Sequence, residues 1–129
     1  MKDTTREWLE DAEYDIRSAE AMLKAGRYFY VVFMCNLAVE KMLKGAWVEI
    51  KGETPPKVHG LVYLTNRVFD KEELPDEVLA LINDLDDKSV ITRYPDGRKQ
   101  IASTLTKEYS RTLREKTEGM FSWLKKRLT

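Results

Sequence analysis

Apolar residues recur at spacings of three and four along most of the chain, and strict alternation persists nowhere, so the pattern predicts helices and no sheet. A first helix is expected from Thr4, where Thr4 and Glu7 have the spacing of a capping box, with Trp8, Leu9, Ala12, Ile16, Ala19 and Leu23 as its buried stripe. Gly26 ends it, because a residue without Cβ takes the left-handed C-terminal conformation cheaply. The second helix, about 27–50, is apolar over most of its circumference, from Phe29 through Val32, Cys35 and Leu43 to Trp47 and Ile50. Such a helix is buried by several neighbours and sits at the centre of a fold. Gly52 to Pro56 then breaks the chain, since consecutive prolines cannot continue a helix.

Shorter apolar stripes predict a third helix over about 58–69 and a fourth capped by Asp76. The stretch 89–99, containing Pro95 and Gly97, reads as an irregular loop. The last helix is expected to open between Ser103 and Thr106 and to bury Leu105, Tyr109, Leu113, Met120, Trp123, Leu124 and Leu128. Its closing Lys125, Lys126 and Arg127 suit the negative end of the helix dipole. The expectation is one all-α domain over residues 1–129, an antiparallel up-and-down helical bundle of four main helices plus a short one.

Composition changes this picture by exclusion. At 43% hydrophobic and 34% charged residues the chain is globular, and 129 residues suffice for a real core. A formal net charge of +0 lacks the global footprint of a protein gripping many phosphates, although it leaves room for a local basic patch. No apolar run approaches the roughly 20 residues of a membrane span, so no membrane partner is expected and the cytoplasm is the expected compartment. Cys35 is the only cysteine and lies in an apolar run, which points to core packing rather than to a nucleophile. No His or Cys stands at metal-ligand spacing, so no metal and no cofactor are expected.

Three features carry candidate chemistry. Asn36, Glu40 and Lys44 follow one another at i, i+4 and i+8, so a polar track crosses the most apolar helix. Charges in such a helix must be paired or kept wet, which allows either a satisfied Glu40–Lys44 pair or the wall of a polar groove. His59, the only histidine, stands where the Pro-Pro loop enters the third helix and serves as a capping or packing residue unless partners converge on it. The run Thr92-Arg93-Tyr94-Pro95-Asp96-Gly97 joins a guanidinium that can grip phosphate to a ring that can stack on a base. The same letters also describe an ordinary Pro-Asp-Gly turn. No glycine-rich phosphate loop, nucleophile elbow or catalytic triad is arranged in the sequence.

The run from Ala38 through Glu40, Lys41 and Lys44 to Gly45, then His59-Gly60-Leu61 with Leu64, then Arg93-Tyr94-Pro95-Asp96, resembles a prokaryotic HEPN domain. Trp8, Ala12, Asp15, Ile16 and Ala19 fit the first helix of that family, and the likeness spans roughly residues 6 to 125. The resemblance implies a helical bundle that commonly forms a homodimer. It also implies a role beside a minimal nucleotidyltransferase partner in toxin–antitoxin-like or nucleotide-handling systems. Other branches are metal-independent ribonucleases with an Arg-x4-6-His motif. Here Gly52, Glu53 and Thr54 occupy the required spacing before His59, so that motif is absent in its usual form and a non-catalytic role is favoured.

The leading expectation is therefore a module that binds a nucleotide or a nucleotidyltransferase, with Asn36, Glu40, Lys44, His59, Arg93 and Tyr94 converging on one groove. A ribonuclease toxin acting on RNA, in which His59 and Arg93 meet in space, is the alternative. A structural dimerisation module, in which the polar track is only an interface seam, is the third.

Overall fold

The computed structural model describes residues 1–91 and 94–129, with residues 89–91 described by backbone alone. Every regular element among them is helical: α1 (Asp3–Lys24), α2 (Tyr28–Lys51), α3 (Leu61–Val68), α4 (Asp76–Ile91), α5 (Pro95–Ile101) and α6 (Lys107–Leu128). Single 3-10 turns at Lys71–Glu73 and Ala102–Thr104 lead into α4 and α6.

α1 and α2 form an antiparallel hairpin around Gly26, whose φ of 74° is the left-handed value its position demanded. Cross-links run the length of the hairpin: Lys41 pairs with Asp15 at 2.8 Å, and Lys2 reaches the carbonyls of Val48 and Glu49 at the far end. α2 is the central helix, packed against α1, α3, α4 and α6. Val31, Val32, Cys35, Ala38, Val39, Met42, Leu43 and Ala46 are essentially inaccessible to solvent. α4 and α6 are antiparallel, joined by Asp84–Tyr109 near one end and by Glu73–Arg127 beyond the other.

Four boundaries differ from expectation. Thr4 does not cap α1; the helix already begins at Asp3. The chain is pinned there by tertiary contacts instead, as the Lys2 N–H donates to Glu49 Oε1 at 2.9 Å. α3 begins at Leu61, three residues later than the apolar pattern suggested, and no local side chain caps it. Asp86 of α4 accepts from the N–H groups of Leu61 at 2.8 Å and Val62 at 3.4 Å, a cap supplied from 25 residues away in the chain. The region expected as a loop over 89–99 is mostly helix: α4 continues to Ile91 and Pro95 opens α5. Proline at a first helical position loses no hydrogen bond and has its φ already set, so Pro-Asp-Gly starts a helix as well as a turn. Asp76 lies within the first turn of α4 rather than before it. Thr106, by contrast, caps α6 as a cap residue should, accepting from the Tyr109 N–H at 3.0 Å.

Candidate functional site

The polar track on α2 divides by partner. The Asn36 side chain donates to the Leu85 carbonyl of α4 at 3.1 Å in a buried setting, so Asn36 fastens α2 to α4. One turn on, Glu40 accepts from Lys44 Nζ at 3.1 Å, and both side chains are about nine-tenths buried. Glu40 also faces His59, whose Nδ1 lies 3.2 Å from each carboxylate oxygen. A carboxylate only accepts, so Nδ1 carries the hydrogen in this contact. The imidazole is 59% exposed beyond it. Glu40 thus holds two cationic or donor groups, one buried and one at the surface, and joins its helical neighbour Lys44 to His59, 19 positions away, in one cluster.

Lys44 is also the link to a cleft of about 650 Å³. Its walls are Trp8 on α1, Val48 on α2 and the segment Gly52 to Lys57, with Lys2 and Thr4 at the rim. Lys44 Nζ stands 5.9 Å from the centre of the Trp8 indole ring, within the range of a cation–π contact. The ammonium has three hydrogens and gives one to Glu40, so donors remain for an anion in the cleft. Gly45 brings α1 close enough to build this wall: a Cβ there would sit 3.1 Å from Trp8 Cβ and 3.5 Å from the Thr5 carbonyl oxygen.

The grouping predicted from sequence is met in part. Glu40, Lys44 and His59 come together. Of these only Lys44 lines the cleft; Glu40 and His59 do not, and Asn36 belongs to the helix–helix seam. Tyr94 is 64% exposed at the start of α5, and none of its contacts among the described residues reaches Glu40, Lys44 or His59. Arg93 lies outside the described residues. Lys41, part of the same family-like run, is turned to the other side and pairs with Asp15 and Asp11 of α1.

Trp8 and the 52–57 segment are the cleft residues that sequence reading missed. Trp8 read as one more member of an apolar stripe, and the two prolines read only as a helix breaker. The position of Trp8 at the edge of its stripe was the available signal. Among the described residues no group of three or more His, Cys, Asp or Glu side chains could hold a metal ion. Cys35 is fully buried, and burial pushes its thiol up to about 11, against smaller opposing effects from Thr117 and Arg114, so it is a packed thiol at neutral pH.

A model of the HEPN domain family matches residues 5–128. The chain belongs to the HEPN family. Among solved structures, that of the protein TT1696 from Thermus thermophilus superposes with a TM-score of 0.80 at 22% sequence identity, over 98% of this chain and 100% of that one. At that identity the likeness concerns the fold. Comparison with curated proteins gives no match. The HEPN bundle here has no helix long and apolar enough to cross a membrane among its described residues.

Proposed function

We propose that this HEPN protein is a nucleotide-binding module that works beside a minimal nucleotidyltransferase in a system of toxin–antitoxin type. The observation that carries the reading is Lys44: a largely buried ammonium, held from behind by Glu40, on the wall of a cleft next to an indole ring. A fixed cation meets a phosphate without first losing side-chain freedom, and an aromatic wall accepts a base by stacking. The cleft volume of about 650 Å³ is within the range of small-molecule sites. Titration calorimetry with ATP and GTP, comparing wild type with Lys44→Met and Trp8→Ala, tests it. Binding in the wild type, weakened at least about tenfold in either variant, is expected; equal binding in all three, or none in the wild type, would reject the site.

A second reading is favoured by the Glu40–His59 contact. A carboxylate that fixes Nδ1–H leaves Nε2 free to take or give a proton, the arrangement a metal-independent ribonuclease needs. Cleavage of a structureless RNA, lost in both His59→Ala and Glu40→Gln, would support this reading over simple binding. In either case the family resemblance implies a homodimer, which sedimentation of the purified protein would reveal.

A further inference from the structure

The opposite end of α2 carries a second groove, of about 330 Å³, between the α1–α2 turn and the segment leading to α6. Arg27 and Arg98 line it from its two sides, together with Tyr28, Phe29, Tyr30 and Leu105. α2 has 24 residues, so this groove and the Lys44 cleft are separated by most of a helix of about 36 Å. It is a different site, and its argument does not rest on the function proposed above.

Among the described residues Arg27, Arg98 and Arg111 have neither a carboxylate partner nor a ring contact, and the groove brings two of the three together. Arg6, Arg17, Arg114 and Arg127 each contact a carboxylate, and Arg67 lies over the Tyr63 ring. Arg27 and Arg98 make no ion pair among the described residues, and no Asp or Glu lines their groove. Two exposed guanidiniums on one small concavity make it locally positive, and no carboxylate in the lining offsets that charge. A divalent oxyanion would, since guanidinium forks match phosphate oxygens with paired hydrogen bonds. Tyr28, Phe29 and Tyr30 share the rest of the wall with Gly26, Ala102 and Leu105. Phe29 and Tyr30 meet edge to face at 5.4 Å, and Tyr30 and Phe33 at 6.4 Å, which holds the partly exposed rings in a fixed arrangement. Rings of this kind give a base a surface to stack on.

We propose that this groove is a second nucleotide site, which takes a nucleoside monophosphate with its phosphate between Arg27 and Arg98 and its base against the Phe29–Tyr30 edge. The volume suits a single nucleotide and is at the low end for a small-molecule pocket.

The test uses the full chain carrying Glu40→Leu with Lys44→Met, a pair of changes that removes the Lys44 cleft's cation without stranding a buried charge, so that failure of one site is not read as failure of the other. AMP, adenosine and inorganic phosphate are titrated by calorimetry and by amide NMR. AMP is expected to bind and to shift amides of residues 26–30 and 98–105, with adenosine and phosphate each at least about tenfold weaker. Arg27→Ala combined with Arg98→Ala should abolish binding, and Arg27→Lys with Arg98→Lys should weaken it, because lysine keeps the charge and loses the fork. Both arginines are exposed, so unchanged thermal unfolding of these variants separates loss of binding from loss of fold. Failure of AMP to bind, AMP binding unaffected by the double alanine variant, or phosphate binding as tightly as AMP would each overturn the proposal.

Discussion

His59 Nδ1, in the loop before α3, stands 3.2 Å from both carboxylate oxygens of Glu40, a residue of α2 and 19 positions earlier in the chain. Glu40 in turn receives Lys44 from its own helix at 3.1 Å. Burial of these charges is tolerable only because they satisfy one another, and that mutual dependence gives the first prediction.

Removing Glu40 leaves Lys44 as an ammonium about nine-tenths buried without its carboxylate. Breaking one partner of such a pair is strongly destabilising, whereas replacing both by apolar groups of similar volume is often neutral. Urea unfolding should show Glu40→Ala destabilised by about 3 kcal/mol and Glu40→Leu combined with Lys44→Met restored to within about 1 kcal/mol of wild type. A double variant no better than the single one would show that the pair is not the source of the loss.

Tyr109 gives a prediction in pH. Burial, reinforced by its hydrogen bond to Asp84 at 2.6 Å, pushes the phenol up to about 12 despite the opposing effect of Lys88. For Lys88 itself burial disfavours the ammonium, but its hydrogen bonds to Asp84 and Tyr109 outweigh this and hold its pKa above the ordinary lysine value. Folded-state pKa values raised above the unfolded ones mean that this stability is fully present below the unfolded tyrosine value near 10, and is lost as pH rises toward about 12. Spectrophotometric titration should therefore find one of the six tyrosines ionising late, and Tyr109→Phe should remove that late step. If all tyrosines of the wild type titrate together near pH 10, the Asp84–Tyr109–Lys88 contact is not made in solution.

Cys35 is inaccessible and its thiol lies at about 11. A disulfide reagent at pH 8 is expected to leave the folded protein unmodified over hours and to label one thiol per chain promptly in denaturant. Prompt labelling without denaturant would mean that α2 opens locally far more readily than a central helix should.

Gly45 sets the distance between α1 and α2. Alanine would gain about 1 kcal/mol of helix propensity, but its methyl would lie 3.1 Å from Trp8 Cβ, an atom fixed to the backbone of α1. Overpacking of this kind typically exceeds that gain, so Gly45→Ala should lower stability by roughly 1 kcal/mol net. A tryptophan emission shift should accompany it, since Trp8 has to move. A stabilised Gly45→Ala protein with unchanged emission would show that the helices separate without resistance.

The sequence determined much on its own. Periodicity identified α1, α2 and α6 and marked α2 as central, because an apolar circumference is a local property that survives any arrangement of neighbours. Gly26 and Gly52 were legible as stops for the same reason: a positive φ is a demand of the backbone itself. The Glu40–Lys44 pair was legible from helical spacing alone.

What escaped was everything decided between elements. Asp86 caps α3 and Lys2 anchors at the end of α2, although nothing near either helix end in sequence announces them. Asn36 and Glu40 share a helical face, yet α4 claims the first and His59 the second. Tertiary packing alone decides which of two residues on one face meets a neighbour's carbonyl and which faces a loop, since a side chain's partner depends on what docks over it. The polar track was readable as a track; only the fold shows that it ends at a cleft, with Trp8 and the proline loop as the other walls.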